Sequence, residues 1–418
     1  MLIDVTRLVG RRLKGRLPTG VDRVALAYVQ RFGLGLGVGP GMPPHGAARP
    51  GAAALLRLGR LHLTLPAPAS KRVFQWLLGD ARLQPLASAP WAGLLAALPQ
   101  ALLAAVLPRT RPAPAGRGPW LVNAGHSGLE HARWAQRLRR QGARPLLVVH
   151  DLIPITHPQF CRAGEAERHA RRMRHAVTWA AAVVANSQAT LDSLAGWAQA
   201  QGLPMPPATV AHLGSANPGA AVGKLPAEVA TRPLAAPYFV VLGTLEPRKN
   251  HAMLLKVWQR LVQRQGAEHA PRLVVIGQRG WDIDALLRDL QRTPELQGVV
   301  FEQPHCSDAD LACWLHHAQA LLLPSFVEGF GMPLVEALAA RVPVLASSLP
   351  VFVEVAGSVP DYIDPLDGPG WLSAVQAYAT PGSAARDAQM QRLQGFVAPS
   401  WQQHFAAVDA LMQASAAA

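Results

Sequence analysis

Residues 324–338 read Pro-Ser-Phe-Val-Glu-Gly-Phe-Gly-Met-Pro-Leu-Val-Glu-Ala-Leu. The apolar run just before them, Ala320 to Leu323, reads as the end of a buried strand. Gly329 and Gly331 then open a tight loop, because glycine adopts backbone angles that other residues avoid. Pro333 suits the first helical position, where its missing N–H is not needed. Leu334, Val335 and Leu338 supply the apolar face of that helix. Glu328 therefore lies in the loop and Glu336 about one turn inside the helix, with seven residues between them. Open α/β sheets bind ligands at the carboxyl ends of their strands. The free amides of a helix start favour an anion. Two acceptor carboxylates beside such a helix start describe a site for a ligand both hydroxylated and phosphorylated, and a nucleotide-sugar fits.

Working outward, the strand-then-helix alternation recurs. Residues 146–149, 181–185, 238–242, 273–276, 298–301, 319–323 and 342–346 are short apolar runs. Amphipathic stretches follow several of them; Leu254, Leu255, Trp258, Leu261 and Val262 repeat at helical spacing. This pattern predicts an α/β protein with parallel sheets. A length of 418 residues favours two or three domains, and Gly214 to Leu225, with Asn217, Pro218 and Gly219, reads as a linker. Residues 34–118 differ in character. The run Gly33 to Gly41 is glycine-rich, but no placement fits Gly-x-Gly-x-x-Gly, so it reads as a flexible loop. Trp91 to Leu107 is mostly apolar and uncharged with Pro99 inside. Its length and proline count against spanning a bilayer and favour a buried helical hairpin, with membrane-surface insertion the second reading.

The charge is uneven. Residues 1–217 hold 26 Lys and Arg against 8 Asp and Glu, and residues 218–418 hold 14 against 18, for a net +14. A basic half suggests an anionic partner. No zinc-finger or RNA-binding aromatic signature accompanies the charge, so nucleic acid is not expected. An anionic membrane face, or a lipid-diphosphate acceptor at that face, fits better; a solvated arginine-rich surface is the plain alternative. Cys161, Cys306 and Cys313 are few and odd in number, which points to a reducing cytoplasm rather than a disulfide framework. Met1 to Val9 carries Asp4 and Arg7 and does not read as a signal peptide.

Arg248 and Lys249 follow an apolar strand and precede a helix whose expected cap is Asn250. Two cations at such a place form a diphosphate clamp, since arginine binds oxygens with two donors and lysine acts as a point charge. A solvated basic turn is the competing reading for Arg-Lys alone. His150 and Asp151 end another apolar strand and project at the ligand edge of its sheet. Gly20 lets backbone amides approach a phosphate closely, or is an ordinary turn glycine. Asp282 and Asp284 have a metal-ligand spacing, but they sit at an apparent helix start, where acidic residues are favoured anyway. No metal is demanded, because paired cations can neutralise a leaving diphosphate.

The run around Glu328 and Glu336 resembles the Glu-x7-Glu motif of the retaining glycosyltransferases of family 4, which have the GT-B fold. So do other pieces in the same order: Thr19-Gly20-Val21-Asp22-Arg23-Val24, Val148-Val149-His150-Asp151, Val184-Ala185-Asn186-Ser187, Val240 to Asn250, and Leu273 to Trp281. Arg341 departs from the family, which usually has glycine before the Val-Pro strand; that puts the helix cap there in doubt. The resemblance implies two Rossmann-like domains with parallel sheets facing across a cleft. Residues 1–219 would bind the acceptor, with 34–118 as an atypical insert-like region. Residues 220–395 would bind the donor, and 396–418 would form a helix crossing back to the first domain. It further implies that Arg248 and Lys249 stabilise the leaving diphosphate, that Glu328 meets the transferred sugar near the reacting carbon, and that Glu336 holds the ribose hydroxyls. His150 would stand against donor sugar or acceptor. Gly20, Ser187 and the loop Gly329, Phe330, Gly331 and Met332 would touch the donor; Asp151 and His126 would line the acceptor side. The expected activity is transfer of a mannose- or glucose-type hexose from a nucleotide-sugar to a glycan or lipid-linked acceptor, without a further cofactor, in bacterial polysaccharide or lipopolysaccharide synthesis. The expected place is the cytoplasm or the inner face of the plasma membrane. The alternative is a non-catalytic scaffold of the same fold.

Overall fold

A computed structural model of the chain describes residues 1–38, 51–58, 61–79, 118–131, 142–215 and 233–417. The run Trp91 to Leu107 lies outside the described residues, as do most of the linker stretch 214–225 and the end of the glycine-rich run. The chain forms two compact units. The first comprises Met1–Ile155, Gly164–Leu213 and Ser400–Ala418; the second comprises Thr156–Ala163 and Gly214–Pro399. The short piece Thr156–Ala163 thus departs from the expected boundaries, because its contacts are with the second unit although its neighbours in sequence are in the first.

The first unit is built on a seven-stranded sheet, in the order β3-β2-β1-β4-β5-β6-β7. Its strands are β1 (Leu2–Asp4), β2 (Ala53–Leu58), β3 (Leu61–Thr64), β4 (Trp120–Asn123), β5 (Arg144–Val149), β6 (Ala182–Ala185) and β7 (Ala208–Val210). All neighbours are parallel except β2 and β3, which form an antiparallel hairpin. That hairpin and the helix Ala67–Leu78 fall in the region 34–118, whose sequence reads as an atypical insert. Ala53, Ala54, Leu55 and Leu56 contain no β-branched residue, so local propensity gives little strand signal; pairing with β1 supplies what propensity lacks. The Ser70 hydroxyl fixes the junction, accepting from the Ala54 N–H at 2.9 Å and donating to the Leu65 carbonyl at 3.0 Å. The terminal helix Trp401–Ala417 packs on β6 and β7. Its anchor is aromatic: Tyr28, Phe32, His404 and Phe405 meet at ring-centroid distances of 5.0–5.9 Å.

The second unit has a six-stranded, all-parallel sheet in the order β10-β9-β8-β11-β12-β13. Its strands are β8 (Tyr238–Leu242), β9 (Arg272–Ile276), β10 (Val300–Gln303), β11 (Leu321–Leu323), β12 (Val344–Ser347) and β13 (Asp361–Ile363). The strands read as continuous apolar runs because helices cover both faces of a parallel sheet. One core joins Phe239, Trp258, Leu273, Leu322, Trp371 and Tyr378. Its strand order turns at β8 and β11, whose carboxyl ends are where such a sheet offers a crevice and where the charged residues collect.

Candidate functional site

Beyond β8, Gly243 turns the chain with φ 142°. A Cβ there would come within 3.3 Å of Lys249 Cε and 3.4 Å of its Nζ, so glycine leaves the lysine its path. Pro247–Lys249 forms a single 3₁₀ turn. Asn250 occupies the cap position of the helix His251–Gln265, but not by the expected means. It takes φ 56°, a left-handed conformation that asparagine tolerates. Its side-chain amide donates to the Pro365 carbonyl at 2.9 Å and makes no cap bond.

Beyond β11, the next loop is tied to this turn. The Phe326 N–H donates to the Arg248 carbonyl at 2.8 Å, and Arg248 Nη1 donates to the Val327 carbonyl at 3.2 Å. Glu328 then receives Arg248 Nη1 at 2.7 Å, Lys249 Nζ at 2.5 Å and the Ser325 hydroxyl at 2.8 Å. Arg248 Nη2 also meets Glu246 at 2.6 Å. The Glu328 side chain is only 8% exposed. Burial by itself raises its pKa, but Arg248, Lys249 and the hydrogen bonds of Lys249 and Ser325 outweigh that and hold it down to about 2. Lys249 is lowered, by burial above all; the attraction of Glu328 opposes this and the repulsion of Arg248 adds to it. The structure therefore unites three of the expected residues, Arg248, Lys249 and Glu328, in one cluster of matched charge.

Gly329 and Phe330 continue the loop. Gly331 has φ 92°, and a Cβ on it would meet Phe352 Cε1 at 2.5 Å, so only glycine fits. Met332 opens the helix Met332–Ala339 and Pro333 is its second residue, one place later than the sequence suggests. Glu336 stands one turn inside it, half-buried. The helix ends with Arg341 at φ 59°. The Val342 N–H bonds the Ala337 carbonyl at 2.9 Å and the Arg341 N–H bonds that of Leu338 at 3.1 Å, the Schellman pattern. The cap is thus kept although arginine stands where glycine is usual; the Arg341 guanidinium holds the Leu393 carbonyl.

In the first unit His126, His150, Asp151 and Ser187 lie just beyond the carboxyl ends of β4, β5 and β6. His126 Nε2 is 2.7 Å from the Val148 carbonyl, and His150 Nε2 is 2.7 Å from that of Ala124. A carbonyl only accepts, so both rings carry their proton on Nε2. The two loops are thereby cross-tied, each by the other's histidine. His169 Nε2 meets the Asp151 carbonyl at 3.1 Å, while the Asp151 carboxylate accepts the Ile153 N–H at 3.1 Å. Ring centroids of His126 lie 5.2 Å from His150 and 5.9 Å from His169. All three histidines are lowered in pKa, by burial first, and stay neutral. Ser187 is fully buried and caps the helix Gln188–Ala200 by accepting the Thr190 N–H at 3.1 Å. Gly20 opens the helix Gly20–Tyr28, where Asp22 closes a capping box on Thr19 and pairs with Arg7 at 2.7 Å. Asp282 takes φ 51° and Asp284 starts the helix Asp284–Arg292. Among the described residues no group of three or more metal-ligating side chains converges.

Several residues escaped the sequence reading. Ser325 and Glu246 complete the charge cluster, and Ser325, three residues before Glu328, was the more legible. Asp4, buried at the end of β1, accepts the Thr6 N–H at 2.9 Å, and burial pushes its carboxyl up to about 6. Nothing in a single aspartate after two apolar residues announces that environment.

Residues 228–359 match the family model described as glycosyl transferases group 1. The similarity to that model is confined to this segment, about a third of the chain. It is 31% identical over 235 residues, 52% of its own length, to the serotype-specific mannosyltransferase WbdA of Escherichia coli, and covers 28% of that protein. It is 35% identical over 130 residues to O-antigen chain mannosyltransferase B of Escherichia coli, matching 31% of this chain and 33% of the relative. The chain thus spans about a third or less of the length of these relatives. Among solved structures, Anabaena HepE in complex with UDP superposes with a TM-score of 0.60 at 14% identity, covering 99% of both chains. The fold is that of the GT-B glycosyltransferases, two α/β units, one on an all-parallel sheet and one on a sheet parallel but for its edge hairpin.

Proposed function

We propose that the chain is a retaining hexosyltransferase that moves a mannose- or glucose-type sugar from a nucleotide-sugar to a glycan or lipid-linked acceptor of the bacterial envelope. It would act in the cytoplasm or at the inner face of the plasma membrane. The observation that carries the reading is the single carboxylate, Glu328, gripped by Arg248, Lys249 and Ser325 at the carboxyl ends of β8 and β11. The mannosyltransferases to which the chain is similar support a hexose donor. Among the described residues no helix is long and apolar enough to cross a membrane.

In this reading Arg248 and Lys249 neutralise the diphosphate as it leaves, and no cofactor beyond the donor is used. Glu328 stays ionised at neutral pH and faces the positive charge that develops on the sugar in an oxocarbenium-like transition state, where a fixed anion counts for most. Glu336 accepts the ribose hydroxyls. The acceptor hydroxyl attacks on the face the diphosphate leaves, and a phosphate oxygen takes its proton, so configuration is retained without a covalent sugar–enzyme bond. His150 and Asp151 serve the sugar and acceptor side, with His126 holding the loop of His150. Lys249→Ala and Glu328→Ala should each slow transfer by at least about 10²-fold while circular dichroism reports a folded chain. Unchanged turnover in both variants defeats the assignment. Calorimetry with a panel of nucleotide-sugars tests the scaffold alternative, which binding to none of them would favour.

A further inference from the structure

The piece Thr156–Ala163 belongs to the second unit although first-unit chain flanks it on both sides. Within it Pro158–Phe160 winds one 3₁₀ turn. The Phe160 ring lies flat against Phe326, with centroids 5.1 Å apart and planes 5° from parallel. His157 stacks on Phe160 at 6.3 Å and 15°. All three rings are half-buried, and neither phenylalanine belongs to the unit's core. Their stacking therefore has no part in burying that core.

Its position indicates what it does. Every residue from 325 to 328 makes one contact of the charge cluster. The Ser325 hydroxyl donates to Glu328, the Phe326 N–H to the Arg248 carbonyl, Arg248 to the Val327 carbonyl, and Arg248 and Lys249 to the Glu328 carboxylate. Phe326 and Val327 enter this network through backbone atoms alone, and the Phe326 side chain is what Phe160 holds. A stacked aromatic pair attracts beyond its burial and restricts the ring to one plane. The backbone of Phe326, and with it the turn, is fixed at both ends.

We propose that Phe160 is a positioning residue for transfer: by stacking on Phe326 it holds the Ser325–Glu328 turn in the register that pairs Glu328 with Arg248 and Lys249. The inference rests on the transfer reading above and adds to it a residue far away in sequence that acts through Phe326. Small displacements of a catalytic group cost rate rather than ground-state affinity, because the lost interaction is strongest in the transition state.

The test uses the full chain with Phe160→Leu, Phe326→Leu, the double variant and Phe160→Tyr. Release of nucleoside diphosphate from GDP-mannose or UDP-glucose gives kcat, calorimetry gives donor affinity, and thermal unfolding controls for folding. Each leucine variant should lower kcat about tenfold while donor Kd stays within about twofold. The double variant should be no slower than the slower single one, and Phe160→Tyr should run at the wild-type rate. Wild-type kcat in both leucine variants, losses that multiply in the double variant, or a change in donor affinity alone would overturn the proposal. A wild-type protein that binds and turns over no nucleotide-sugar would instead overturn the transfer reading, and this one with it.

Discussion

The two sheets present polar groups at their carboxyl edges by opposite means. In the second unit Arg248, Lys249 and Glu328 are charged and hold one another. In the first, His126, His150 and His169 are neutral and hold backbone carbonyls of neighbouring loops. A charge taken out of water must be paired or it costs several kcal/mol, so the ionic cluster is self-contained and each member depends on the others. A neutral ring needs only one acceptor, so the histidines act as separate ties. The comparison teaches that one edge is built to meet charge and the other to keep loops in place.

Breaking the ionic edge should have the largest effect. Lys249→Ala removes a counter-ion of the leaving group and should slow transfer by about 10²–10³-fold, read as product formed per enzyme. The same change strips one partner from buried Glu328 and should cost about 3 kcal/mol of stability, read by chemical denaturation. Next is Gly331→Ala. Its φ of 92° and the 2.5 Å approach of Phe352 leave no room for a methyl group. We expect about 2–3 kcal/mol lost, with the second unit's amide exchange rising first.

Acidification separates the two edges more finely. A histidine whose folded pKa is depressed stabilises fully above its unfolded value of 6.5, and that stability is lost as pH falls towards the folded pKa. Among its described residues the first unit has five such histidines, His126, His150, His169, His175 and His404, the last lowered by burial to about 4. The second has His251, lowered to about 4 chiefly by burial, and His316. Asp4 works against the trend in the first unit, since its raised pKa of about 6 favours the folded state as pH falls. Glu328 loses its contribution only between 4.5 and about 2. Hydrogen exchange between pH 6.5 and 4.5 should therefore show the first unit loosening more than the second, and equal loosening would erase the distinction. The smallest effect is expected at Arg341→Gly. Relief of the left-handed strain offsets the lost bond to the Leu393 carbonyl, so stability should move by less than about 1 kcal/mol.

Much of this was legible beforehand. The strands at Tyr238–Leu242, Arg272–Ile276 and Ala182–Ala185 stand within a residue of the apolar runs that announce them, because a strand covered on both faces must be apolar throughout. That Arg248, Lys249 and Glu328 stand on loops after two strands was legible from charge and position; their direct pairing was not, because it is made through space. The hairpin of β2 and β3 and the helix Ala67–Leu78 were not, since alanine and leucine serve helix and strand alike.

What the sequence by itself determined is the alternation of elements, the glycines the loops require and which charges lie at strand ends, since these follow from local periodicity and backbone sterics. What only the tertiary structure decided is who meets whom. Asn250 reaches Pro365 instead of capping its helix, Ser187 is spent on a cap, Asp4 is buried until its acidity changes, and Phe160 finds Phe326 across 166 positions. Such partners are distant along the chain, and burial and electrostatics act through space.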